Sequence, residues 1–174
     1  MAKTIEQLLR EKGGIRLDIG AGNNAQPGFV SMDIQDLPGV DIVQDFNDIP
    51  WNMPDECCIQ AIASHVIEHI PRVMYKADGK MHWMFLEFMD EVWRVLKPQA
   101  QFALVMPYAL SAGFYQDPTH VNACNEGTWL YFDPEAQKGM FYGFYKPKPW
   151  KIDAMSFAVE GNMEVLLRKR ELND

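Results

Sequence analysis

The sequence predicts an α/β domain whose sheet is parallel over most of its width and closes with an antiparallel pair of strands. Three observations point there. Short apolar runs at 15–19, 29–34, 57–64 and 102–106 are separated by loop or helical stretches, the crossovers that parallel neighbours require. From Met81 to Lys97 the apolar residues Met81, Phe85, Phe88, Val92 and Leu96 fall at helical spacing. Gly161-Asn162 lies between strand-like runs at 150–160 and 163–169, one of the recognised two-residue hairpin turns.

Taken in order, Thr4-Ile5-Glu6-Gln7 is a capping-box pattern, Ile5, Leu8 and Leu9 form an apolar stripe, and Gly13-Gly14 can end a short helix. Ile15–Ile19 reads as a strand that runs into Gly20-Ala21-Gly22, and 29–34 reads as a second strand closing on Asp33. Residues 41–46 form a third, short candidate. Cys57 to Ser64 is apolar enough for a strand buried on both faces. His65 to Ile70 then opens a helix that Pro71 limits, and Lys97-Pro98 stops the longer helix before the fifth strand at 102–106. Residues 109–149 are rich in Gly, Pro and aromatics without steady periodicity, which predicts a long insertion or lid of little regular structure.

All of this fits a single domain of 174 residues. With 48% apolar and 23% charged residues the chain should fold, and a net charge of -8 disfavours a nucleic-acid partner. The basic run Arg168-Lys169-Arg170 has Glu171 and Asp174 beside it. No apolar run reaches the roughly 18 residues of a membrane span, and the first residues lack a signal-peptide core. Cys57, Cys58 and Cys124 carry no CxxC spacing and read as buried apolar thiols in a reducing compartment, so a cytoplasmic location is expected.

Chemistry concentrates at the first strand end, Leu17-Asp18-Ile19-Gly20-Ala21-Gly22-Asn23-Asn24. Glycines there let backbone pass close to a nucleotide, and ligands of such sheets bind beyond the carboxyl ends of the strands. Asp33, fifteen residues after Asp18, can accept hydrogen bonds from ribose hydroxyls, and Asp45-Phe46 ends the third candidate strand. Each aspartate also suits an ordinary strand-end turn.

In this combination the chain resembles the small class I, Rossmann-like S-adenosylmethionine-dependent methyltransferases. The resemblance rests on Asp18-Ile19-Gly20-Ala21-Gly22 leading through Pro27-Gly28-Phe29 to Asp33-Ile34. Ser64-His65-Val66-Ile67-Glu68-His69-Ile70, Glu91-Val92-Trp93-Arg94-Val95-Leu96-Lys97-Pro98 and Asp117-Pro118-Thr119-His120-Val121 add to it, over about residues 14–170. It implies S-adenosyl-L-methionine as cofactor, with Asp18, Gly20 and Gly22 at its methionine end, Asp33 on the ribose, Asp45 and Phe46 at the adenine, and His65 near the methionine or the reacting methyl. Two departures stand out: Asn24 replaces a third glycine, and residues 23–28 are too few for a crossover helix.

The acceptor is not written in the sequence; a small molecule is expected. Within the insertion Tyr115, Asp117 and His120 are the candidates for its side of the site, Asp117 orienting a His120 base, with local turn formation as the alternative reading. The insertion aromatics, among them Trp129, Tyr131, Phe132, Phe141, Tyr142 and Phe144, suit an acceptor pocket or a satellite core. His65-Val66-Ile67-Glu68-His69 also matches H-x-x-E-H, a zinc-hydrolase signature, but without a third ligand or a long helix in sight no metal is expected. A nicotinamide-dependent oxidoreductase using the same glycine turn and a non-catalytic nucleotide-binding module are the other readings; the acid opening the glycine motif favours methyl transfer over the first.

Overall fold

A computed structural model describes residues 5–136 and 145–171. The capping residue Thr4 and the aromatics Phe141, Tyr142 and Phe144 lie outside the described residues. After helix α1 (Ile5–Lys12) come strands β1 (Ile15–Ile19), β2 (Val30–Asp33), β3 (Ile42–Val43) and β4 (Cys58–Ser64). A 3-10 turn (Ile67–His69) and the small strands β5 (Met74–Tyr75) and β6 (Met81–His82) lead into helix α2 (Met84–Val95) and strand β7 (Leu96–Pro107). Two short helices, α3 (Ala112–Tyr115) and α4 (Glu126–Leu130), lie in the insertion before β8 (Trp150–Phe157) and β9 (Asn162–Lys169).

The main sheet has the order β3-β2-β1-β4-β7-β9-β8. Pairings from β3 to β7 are parallel. β9 runs against both its neighbours, so β8 again points the way of β7. The terminal hairpin occupies the sheet edge beyond β7, as expected, with its second strand β9 next to β7 and its first strand β8 outermost. The turn differs from the expected two residues, since 158–161 make it, with Ala158 N–H donating to the Asn162 carbonyl and Gly161 N–H to Ala158.

Several elements are shorter than their patterns suggested. Only Ile42–Val43 of 41–46 pairs as a strand. Residues 65–70 hold a single 3-10 turn, because Pro71 forbids helical continuation beyond it. The helical stripe begins at Met84 rather than Met81, Met81 and His82 being drawn into pairing with Met74 and Tyr75. β7 in turn starts at Leu96 and absorbs Pro98, which sits exposed on the strand where a missing N–H costs little.

One face of the sheet carries Ile15, Leu17, Ile19, Ala61, Phe102, Leu104 and Val165, all buried in the main core with α2 residues Phe85, Phe88, Met89 and Val92. The opposite face is thinner. β4 is not buried on both faces: Ile59 is 43% exposed and Gln60 and Ile62 are half-buried, and the link from β1 to β2, where a crossover helix could have covered the sheet, is a loop. The basic run is consumed internally. Arg168 pairs with Asp153, Lys169 donates to the Leu96 carbonyl and lies over the Trp93 ring, and Arg170 pairs with Asp133. Cys57, Cys58 and Cys124 are buried free thiols. No helix among the described residues is long and apolar enough to cross a membrane.

Candidate functional site

Two groups of polar residues gather where the parallel strands end. On the β1–β3 side, Gly20 N–H and Ala21 N–H both donate to the Met32 carbonyl, which ties the glycine turn to the end of β2. Gly20 has φ 71°, and a Cβ there would stand 2.2 Å from Val66 Cγ2, so the turn can pass Val66 only without a side chain. Gly22, at φ 53°, is different: a Cβ would meet nothing within 4 Å. Its N–H donates to Asp33 Oδ2 at 2.8 Å, while Asp33 Oδ1 accepts from Gln35 N–H at 2.9 Å. Each carboxylate oxygen keeps a further lone pair. The open backbone over Gly22 beside a buried carboxylate with spare acceptor capacity fits a nucleoside ribose.

The remaining residues named for the cofactor have these partners. Asp18 is buried and accepts Gln26 N–H at 2.8 Å, which closes the loop from β1. Burial pushes its carboxyl pKa up, and the Gln26 bond opposes that only in part. Asp45 is exposed and accepts Asn47 N–H in a local turn. Phe46 is buried in the core and its carbonyl receives the Trp51 indole N–H.

On the β4–β7 side, His65 follows the end of β4 in a left-handed conformation (φ 57°), its N–H on the Val105 carbonyl and its side chain half-exposed. His65 Nδ1 lies 3.0 Å from Glu68 Oε1. The insertion docks here through backbone: Val121 N–H and Asn122 N–H both donate to the Glu68 carbonyl, and the buried Asn122 amide donates to Ile67. Arg72 clamps the same Asn122 from the far side at 2.8 Å. Docking carries His120 onto His69, with ring centroids 4.8 Å apart and nearly perpendicular planes.

Asp117 and His120 thus meet His65, Glu68 and His69 around a cavity of about 330 Å³. Asp117 does not orient the His120 ring as a catalytic carboxylate would. His120 Nδ1 lies 2.8 Å from the Phe114 carbonyl, whereas Asp117 Oδ2 is 3.8 Å from Nε2. Asp117 Oδ1 instead takes the Thr119 N–H and hydroxyl, bonds that hold its carboxyl below the usual pKa. Both readings of this segment are present at once, a local turn and a place in the cavity wall. Tyr115 is 69% exposed. The insertion aromatics serve two places, with Phe132 common to both: Trp129 and Phe132 pack in the core, and Tyr131, Phe132 and Tyr145 help Trp83 and Arg72 line a second cavity of about 430 Å³.

Sequence reasoning met Glu68 only within the H-x-x-E-H signature and gave Asn122 and Thr119 no role of their own. For Glu68 and Thr119 the signal was present in two motifs quoted separately, H-V-I-E-H and D-P-T-H-V, and Asn122 directly follows the second; nothing local says that they touch.

No family model matches the chain, and no curated protein matches its sequence. Solved structures do resemble it. A SAM-dependent methyltransferase from Archaeoglobus fulgidus superposes with a TM-score of 0.57 at 16% identity, covering 95% of each chain. A SAM-dependent methyltransferase from Aquifex aeolicus gives 0.52 at 16% identity, over 96% of this chain and 90% of that one. The [4+2]-cyclase SpnF gives 0.54 at 14% identity, over 95% of this chain and 79% of its own. At such identities the likeness is one of fold, the Rossmann-like α/β fold of class I methyltransferases, and a cyclase among the neighbours illustrates that one fold hosts several chemistries.

Proposed function

We propose that this chain is an S-adenosyl-L-methionine-dependent methyltransferase acting on a small-molecule acceptor in the cytoplasm. The observation that carries the reading is the Gly20–Gly22 turn, laid open at Gly22 and bonded to Asp33, on a sheet whose solved neighbours include SAM-dependent methyltransferases. Asp33 would accept the ribose hydroxyls and the backbone of Gly20 to Gly22 would face the methionine end. Asp18 holds the loop in shape, Asp45 and Phe46 mark the adenine end, and His65 borders the transferred group. When bound, the cofactor supplies a methyl group on a sulfonium, whose transfer is an in-line displacement governed by alignment and exclusion of water. Asp117 and His120 stand on the acceptor side, across the cavity from His65. Buried reduced thiols are compatible with the cytoplasm.

Calorimetric titration with S-adenosylhomocysteine, with NADH as comparison, tests this. Binding of the first and not the second is expected; the reverse would make the chain a nicotinamide enzyme.

A further inference from the structure

The second polar group of the site carries more than an acceptor wall. Glu68, His69 and His120 each offer a donor atom within 4.8 Å of the others. Glu68 is 1% exposed, and its Oε2 has no hydrogen-bond partner although it is buried. The tautomers of both imidazoles follow from their partners. A carbonyl can only accept, so His120 donates from Nδ1 to Phe114 and its Nε2 is the free atom. The Thr119 hydroxyl gives its proton to Asp117, so it can only accept from His69 Nδ1, and His69 Nε2 is likewise left free. Each imidazole thus keeps one ring nitrogen free of a backbone or hydroxyl partner, beside a buried carboxylate with an unpartnered oxygen, on the wall of a half-enclosed cavity. A buried carboxylate oxygen without a partner is costly, and a cation held with the two imidazoles would offset that cost.

From this geometry we infer a binding site for one divalent transition ion, with zinc as its typical occupant, held by Glu68, His69 and His120. Two nitrogen donors and one oxygen suit zinc or a neighbouring first-row ion better than magnesium or calcium, which prefer oxygen throughout. The outer bonds are those found behind metal-bound histidines: His120 on a backbone carbonyl, His69 on a hydroxyl backed by a carboxylate. Three protein ligands leave a position open to an oxygen of water or acceptor, on the cavity that His65 and Asp117 share. The H-x-x-E-H motif therefore contributes its glutamate and its last histidine to the ion, not its two histidines together; the missing ligand comes from the insertion, 51 residues after His69. The site adds to the methyltransferase reading and stands without it.

The test is zinc uptake by the purified full-length chain, stripped with chelator, dialysed against zinc chloride and measured by elemental analysis and titration calorimetry. One zinc per chain is expected, with a rise in Tm on loading. His120→Ala should abolish both. Asp117→Asn, acting through Thr119, should weaken zinc affinity about ten- to a hundredfold while keeping the stoichiometry. His82→Ala, which removes a histidine flanked by Asp78 and Glu87 elsewhere, should change nothing. No stoichiometric zinc in the wild type, or uptake lost with His82 and retained without His120, overturns the site. S-adenosylhomocysteine binding read on the same samples keeps the two conclusions apart: zinc uptake without it would leave the ion site standing and remove the methyltransferase reading.

Discussion

The two halves of the strand-end region are built on opposite logic. Around β1 and β2, the buried carboxylates Asp18 and Asp33 have each taken backbone N–H groups from the loops at their own strand ends, at sequence separations of 2 to 11 residues. Around β4 and β7, Glu68 and His69 meet an insertion about 50 residues away and keep unused acceptor atoms. A carboxylate satisfied by its own loop shapes that loop and leaves only spare lone pairs for a ligand. A buried carboxylate with one oxygen left unsatisfied, as in Glu68, is instead destabilising until something binds that oxygen. The first half is a preformed cradle, and the second is a demand for charge.

The contrast can be broken where each half is anchored. The largest effect is expected at Asp133, at the root of the insertion, which accepts Ile152 N–H at 2.9 Å and pairs with the largely buried Arg170. Asp133→Ala leaves that guanidinium short of a partner and should cost about 3–5 kcal/mol, seen as a fall in Tm of about 10 °C. Burial pushes the Asp133 pKa up, but the amide N–H groups of Ile152, Ala136 and Glu135 together with Arg170 more than reverse it, so the folded value lies below the ordinary one. Its contribution is therefore present above the ordinary carboxylate range and is lost as pH falls through the folded value. The stability gap between wild type and Asp133→Asn should close on acidification; a gap that is constant down to acid unfolding would contradict this assignment.

Next in size is the pair of glycines in the cradle. Gly20→Ala combines a left-handed backbone, about 1–2 kcal/mol, with a clash against Val66 worth about 1–3 more. Gly22→Ala meets open space and should cost about 1–2 kcal/mol in stability. Equal losses in chemical denaturation would mean that Val66 moves aside freely. Asp33→Ala sharpens the ligand side: losing charge-assisted hydrogen bonds worth about 1.5–3 kcal/mol should weaken S-adenosylhomocysteine about ten- to a hundredfold. The smallest expected change belongs to the other half. His120→Ala should leave S-adenosylhomocysteine affinity within about twofold, since the cradle is satisfied without it; a large loss in calorimetry would show that the halves are coupled.

What the sequence determined by itself was everything encoded in short windows. The first strand, the glycine turn and Asp33 were legible because strand, tight turn and strand-end acid follow one another within twenty residues. The stretch of α2 was legible because a buried helix face writes its period into the chain. Three features were decided only by the tertiary structure. The hairpin pattern is the same whether β9 lies at the sheet edge or between β7 and β8; the choice is made by pairing from Gln101 to Pro107 with a partner some 60 residues on. The aliphatic run of β4 does not reveal that Ile59 would stay exposed and Ile62 half-buried, because cover is supplied by other segments. The meeting of Glu68 and His69 with His120 depends on Asn122 and Val121 reaching the backbone of the 3-10 turn. Contacts at such separations depend on how the whole chain is routed, and no local propensity records that route.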